Sequence, residues 1–277
     1  MNTAPARLDS VRAREYLDFA GRMADAAHDT VLGHFRASSA ELTIEDKSGG
    51  GGPFDPVTAA DRGAEEIMRR MIGETYPDHG ILGEEFGTQA PAAGSNPAIT
   101  WVIDPIDGTK SFIAGAPTWG ILIGINDGAG AVAGIMDQPY TQERFTGGPD
   151  GTTLNGTPLK TRSCEDISRA SLYCTDRSMF ENESQAAAFD TVSSRVAYSR
   201  FGLDCYAYCM LAHGLIDLVI EGSLKPFDIQ ALIPIVCGAG GVITDWQGGP
   251  AENGGLCVAA GDPELHRQVL EILAPAA

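Results

Sequence analysis

Residues 101–112 read WVIDPIDGTKSF, and this segment constrains the chain more than any other. Trp101, Val102 and Ile103 make an apolar run of the kind found in a buried strand. Pro105 has no N–H to donate and is expected to end the ladder. Asp104 and Asp107 then stand at the strand's end, where hard oxygen ligands could share divalent cations. Gly108 removes side-chain bulk, so backbone N–H groups at the start of a following helix could approach an anion. Thr109 adds a hydroxyl beside them. A plain strand followed by an Asp/Gly turn would read the same way from this segment alone.

Around it, helical and strand patterns alternate. Apolar spacing from residue 10 to 36 (Tyr16, Phe19, Ala20, Met23, Ala27, Val31) predicts a helix. ELTIEDK is a polar strand candidate, and SGGGGPFDP at 48–56 reads as a mobile loop or a lid, because four glycines and two prolines hold no regular element. Helical spacing resumes from Thr58, a good N-cap, to Met71, with Asp61 in the first turn. GILGEEFG at 80–87 predicts a short buried strand delivering Glu84 and Glu85 into a turn. ILIGIND and AVAGIMDQ predict a hairpin turning at Asp127-Gly128. Turn-rich residues 147–156 suggest a change of subdomain, giving an N-terminal α+β part (1–147) and a C-terminal α/β part (148–277). Beyond it come helices over 183–192, 204–214 and 228–239, a terminal helix from Pro263, and strands between them. The alternation implies α/β layers, with sheets covered by helices.

Length and charge narrow the function. A chain of 277 residues can bury a large core, as one domain or two closely packed ones. Its formal charge of −18 and the absence of a basic stripe argue against nucleic acid as partner. No apolar stretch is long enough for a bilayer, and the first residues lack a secretion signal, so the expected location is cytoplasmic. The six cysteines form no CxxC pair and read as reduced core residues, which disfavours zinc.

The acids that group together are Asp55, Glu84, Glu85, Asp104, Asp107 and Asp228, each at a turn or at the start of an element. Asp228 has a second reading as a helix N-cap. A GEE turn is often merely solvated. Together, however, several oxygen-ligand segments and a phosphate-sized turn suit metal-assisted hydrolysis of a phosphate ester, with magnesium the fitting ion. No serine–histidine–aspartate set, activated cysteine or P-loop competes.

The motifs DPVTAAD (55–61), GEE (83–85), DPIDGT (104–109) and FDIQA (227–231), in that order, resemble those of the inositol monophosphatase family across nearly the whole chain. The resemblance implies an α-β-α-β-α sandwich, usually a homodimer, and Mg²⁺-dependent phosphatase activity with two to three ions and sensitivity to lithium. It implies one ion on Glu84, Asp104 and the carbonyl of Ile106. A second would sit on Asp104, Asp107 and Asp228, and a third on Glu84 and waters. Asp55 and Thr109 would orient the attacking water, with Glu84 beside them. The Gly108–Thr109 backbone would cradle the phosphate, and no covalent intermediate is expected. Lys47 matches a lysine of the family's mobile loop.

Residues 200–248 resemble the histidinol-phosphate phosphatase branch through LKPFD, AL-P and TDW-G, with Phe227 where tyrosine or tryptophan is usual. In that pattern Arg200, Asp204 and Glu221 line the pocket for the leaving alcohol, and the two acids would neutralise a cationic amino alcohol. Structural roles are open to each: a surface pair for Arg200, a helix cap for Asp204, a strand end for Glu221. The implied substrate is L-histidinol phosphate, with inositol or sugar phosphates as the alternative. A regulator associated with the transcription machinery is a further reading, disfavoured by the complete ligand set. Trp101, Trp119 and Trp246 are expected to be packing residues.

Overall fold

A computed structural model describes residues 7–37, 44–47 and 56–277. The first helix, α1 (Ser10–His34), starts where the Asp9 carboxylate accepts the N–H groups of Val11 and Arg12 at 3.0 and 2.9 Å. Strands β1 (Ile44–Asp46) and β2 (Pro56–Thr58) form an antiparallel ribbon. Helix α2 (Ala59–Thr75) follows at once, capped reciprocally by Thr58 and Asp61. Then come β3 (Gly80–Gly83), β4 (Gly87–Gln89), β5 (Thr100–Asp107), the short α3 (Thr109–Ala114), β6 (Gly120–Asn126), β7 (Ala131–Gln138), β8 (Glu143–Gly148), β9 (Gly151–Leu154) and β10 (Thr157–Pro158). These strands make one sheet of order β10-β9-β8-β7-β6-β5-β3-β4, antiparallel except between β3 and β5.

The rest of the chain supplies β11 (Ser171–Cys174), α4 (Glu183–Ser193), β12 (Tyr198–Phe201), α5 (Tyr206–Ala212), β13 (Leu218–Leu224), α6 (Pro226–Ile229), α7 (Leu232–Gly238), β14 (Val242–Asp245), β15 (Gly255–Ala260) and α8 (Pro263–Leu273). Its sheet runs β12-β11-β13-β15-β14. The period-two alternation of the strands explains the layers. In β6, Ile121, Ile123 and Ile125 face the α1–α2 layer, while Leu122 faces the opposite side with α5 and α7. In β13, Val219 joins that same middle layer, whereas Leu218 and Ile220 turn outward to α4 and α8. The result is an α-β-α-β-α sandwich, as the motifs implied. All three tryptophans are buried in these cores.

Three expectations shift. Pro105 does not end its strand: β5 runs on to Asp107, and the ladder slips by one residue between the Asp104–Leu122 and Asp107–Gly120 pairs. Proline has no N–H for the ladder to satisfy, so the bulge accommodates it, and the Ile106 N–H is taken by the Asp104 carboxylate at 3.0 Å. The helix read over 228–239 is broken into α6 and α7 at Gln230–Ala231. Finally, the first sheet continues through Pro158, so the expected boundary at 147/148 falls inside β8.

The middle layer seats α6 and α7 unusually close to the first sheet. A Cβ on Gly134 would stand 2.4 Å from the Ala231 carbonyl oxygen, and one on Gly147 would stand 2.4 Å from the Ile235 nitrogen. Only glycine allows that backbone approach. It brings the start of α6, with Asp228, over the end of β5.

Candidate active site

Three carboxylates converge at this junction. Asp104 and Asp107 come from the bulged end of β5 and Asp228 from the first turn of α6, and one oxygen of each lies within 4.8 Å of the others. Asp104 is buried. Burial, followed by the negative charges of Glu84, Asp107 and Asp228, holds its carboxyl well above the usual range. Asp107 is raised in the same way by burial and then by Asp228 and Asp204, although it accepts the Cys205 N–H at 2.8 Å. Asp228 is pushed up to about 7 by burial, against the help of the Lys225 N–H it caps at 2.7 Å. The N-cap of α6 is Lys225 and not Asp228, which stands at the third helical position, where its Oδ2 accepts the Lys225 N–H while the residue faces the other two acids.

Glu84 stands beside Asp104 in the turn after β3, its N–H bonded to the Ile103 carbonyl at 3.2 Å. Lys47 bridges Glu84 and Glu85 at 2.8 and 2.6 Å. Burial pulls the Lys47 ammonium down, but the two glutamates outweigh it and the net shift is upward. Glu85 is itself raised to about 7 by burial. The donor set fits a hard divalent cation: all oxygen, with mutual repulsion that such an ion would relieve. Of the other buried acids, Asp137 meets Arg144 and the His28 ring and Asp217 meets Arg162; Asp104, Asp107 and Asp228 have no ion pair among the described residues.

One residue matters more than the sequence reading allowed. The sequence marks Asp61 only as a first-turn acid, yet its Oδ1 is buried without a hydrogen-bond partner among the described residues. Its Oδ2 accepts both the Thr58 N–H and hydroxyl, at 2.8 and 2.6 Å. Burial pushes Asp61 up to about 6, and Glu84 adds to the rise. The ribbon strand β2, immediately before Asp61, packs on α3, whose first residue is Thr109. The Thr109 hydroxyl donates to the Ile106 carbonyl at 3.2 Å, so that carbonyl also faces the turn. A signal for Asp61 existed in the sequence, since DPVTAAD holds two acids. Asp55, given the water-orienting role there, lies outside the described residues, as does the run 48–55.

Beside the triad is a cavity of about 90 Å³ whose walls include Asp107, Asp204, Glu221, Asp228, Thr175 and Tyr208. Glu221 is buried on β13 and accepts the Thr175 N–H at 3.0 Å and the Tyr208 hydroxyl at 3.0 Å. Burial raises it to about 7. Asp204 accepts the Ser111 hydroxyl at 2.5 Å, and burial raises it too. Its carboxylate packs 2.9 Å from where a Cβ on Gly108 would stand, and Gly108 has φ 86°. The glycine thus serves both the turn and the approach of Asp204. Thr175, Tyr208 and Ser111 gave no sequence signal, because neutral hydroxyl donors occur throughout the chain and carry no chemical signature of their own. Arg200 is exposed on the edge strand β12, opposite Tyr173, and does not line this cavity. Two larger hollows, of about 580 and 690 Å³, lie elsewhere, and their buried acids are already paired with Arg144 and Arg162.

The sequence profile of the inositol monophosphatase family matches residues 12–276. The chain is 39% identical to the bifunctional phosphatase IMPL2 of Arabidopsis thaliana, over 98% of this chain and 79% of that one. It is 32% identical to the histidinol-phosphatase of Streptomyces coelicolor, over 94% and 98% of the two chains. Among solved structures, an inositol monophosphatase from Zymomonas mobilis superposes with a TM-score of 0.81 at 36% identity, covering 94% of this chain and 98% of that one.

Proposed function

The chain belongs to the inositol monophosphatase family of metal-dependent phosphatases, and from that premise we propose that it hydrolyses L-histidinol phosphate to L-histidinol and phosphate with magnesium. The observation that carries the choice of substrate is the pair Asp204 and Glu221. Both are lined up on the cavity beside the triad, and both are satisfied only by neutral donors among the described residues. Two such carboxylates suit a cationic amino alcohol; a neutral polyol such as inositol gives them no counter-charge. The resemblance to the Streptomyces histidinol-phosphatase supports the same reading.

Glu84, Asp104 and the Ile106 carbonyl would hold one ion, Asp104, Asp107 and Asp228 a second, and Glu84 with waters a third. Magnesium bound there would lower the pKa of the attacking water and stabilise charge on the phosphoryl and leaving oxygens. The protein's own contribution would come from Asp55 and Thr109, which orient the attacking water, with Glu84 beside them. The Gly108–Thr109 backbone faces the phosphate, and Asp204 and Glu221 orient the departing alcohol. Water is the nucleophile, so no side chain is phosphorylated. A homodimer is the assembly this reading carries, to be checked by light scattering.

The decisive experiment measures phosphate release from histidinol phosphate and from inositol 1-phosphate, with magnesium and with chelator. Histidinol phosphate should be strongly preferred, with activity lost in chelator. Preference for inositol 1-phosphate overturns the substrate, and full activity in chelator overturns the metal.

A further inference from the structure

Glu65 is fully buried on α2, one helical turn after Asp61, and nothing in the mechanism above uses it. Its carboxylate does not face the cavity. Instead Oε2 accepts the Glu85 N–H at 2.8 Å and Oε1 accepts the Phe86 N–H at 3.2 Å, so one side chain holds two successive amides of the GEE turn. Arg69, one turn further along α2, donates to Oε1 at 2.6 Å and also reaches the Gly87 carbonyl. Its guanidinium lies 5.9 Å from the Phe86 ring centre. Gly83 completes the fit: a Cβ there would stand 2.0 Å from the Glu65 carboxylate. The third amide, of Glu84 itself, is tied to β5 through Ile103.

The Glu84 turn is therefore held from two sides, by the strand that carries Asp104 and by the helix that carries Asp61. We infer that Glu65, braced by Arg69, is a positioning residue that sets Glu84 against Asp104 and Asp61 and so tunes divalent-ion binding at the Glu84 side of the site. The inference rests on the reading of Glu84 as a metal ligand. A carboxylate that accepts two amide N–H groups is not replaced by its amide, because one end of a glutamine side chain can only donate. Groups that orient metal ligands from behind typically govern metal affinity by roughly ten- to a hundred-fold.

The test titrates apo-protein with terbium, followed by luminescence, and separately measures the magnesium dependence of kcat, for the wild type, Glu65→Gln, Gly83→Ala and Glu84→Gln. Gly83→Ala leaves Glu65 chemically intact but pushes its carboxylate away from the turn. Both Glu65→Gln and Gly83→Ala should keep a native circular dichroism spectrum. Both should weaken terbium binding about ten-fold and move the magnesium midpoint upward by a similar factor. At saturating magnesium the KM for substrate should stay within about two-fold of wild type, because the alcohol pocket is untouched. Wild-type metal midpoints in the two variants overturn the inference, as does loss of the native fold in both. If Glu84→Gln also binds terbium like the wild type, the ligand reading of Glu84 falls with it. If Glu84→Gln alone is weakened, only the positioning role of Glu65 falls.

Discussion

Asp104 and Asp217 are the same residue type at nearly the same burial, 2% and 1% exposed, and the protein treats them in opposite ways. Asp217 meets Arg162 through two bonds of 2.6 and 2.5 Å and accepts both the N–H and the hydroxyl of Ser171. Although burial opposes it, those partners hold its carboxyl below the ordinary range. Asp104 meets acids instead and is held well above it. A buried acid with a built-in cation closes a structural joint between β13 and the segment before β11. Asp104 has no such partner among the described residues, and that contrast sets the candidate site apart from the structural joint at Asp217.

Substituting each acid by its amide should separate the two roles. Asp104→Asn is expected to reduce kcat/KM by more than the roughly hundred-fold typical of changes one step removed from a metal. Without metal its urea midpoint should not fall, because the change relieves repulsion. Asp217→Asn should do the reverse: it should cost on the order of 2 kcal/mol, moderated because the Arg162 side chain is 44% exposed, with activity retained below the melt. Equal destabilisation in both variants breaks the comparison.

The pocket acid Glu221 sharpens it. Its value in the folded state, about 7, lies above the ordinary 4.5, so folding favours the protonated form. Its favourable contribution is complete below the unfolded value of about 4.5, declines as pH rises, and is gone above about 7. That difference corresponds to about 3 kcal/mol in metal-free protein. Glu221→Gln should remove this part of the fall between those pH values in a pH series of urea melts, and it should raise KM for a cationic substrate at pH 8. Parallel pH curves for the two proteins would refute the assignment.

The smallest effect concerns Gly108. Alanine there must adopt a left-handed backbone, costing roughly 1–2 kcal/mol. It must also displace Asp204, which sits 2.9 Å from the new Cβ. The expected result is a modest drop in melting temperature with a KM increase larger than the kcat decrease. An unchanged KM would show that Asp204 does not face the alcohol.

Much of this was legible in linear order. DPIDGT, GEE and FDIQA each place acids at element ends, and the apolar periods of α1, α2 and the β6–β7 hairpin predicted their elements. Pro105 misled because a bulge, which depends on the partner strand, absorbs a residue that a regular ladder rejects. Asp61 was hidden by its own capping role: Thr58 occupies one of its oxygens, and only the fold shows that the other is buried without a partner among the described residues. Arg200 and Glu221 looked equivalent in sequence, but an edge strand leaves the arginine exposed while a central strand buries the glutamate.

By itself, the sequence determined the layered class, the family and the acids from which a metal site could be made, because these follow from residue type, spacing and order. Tertiary structure alone decided which acids meet. Asp104 and Asp228 are more than a hundred residues apart, and their meeting depends on glycines in the first sheet that admit the backbone of α6 and α7. It also decided which buried acids keep a cation of their own, and that partition is set by long-range packing which no local pattern encodes.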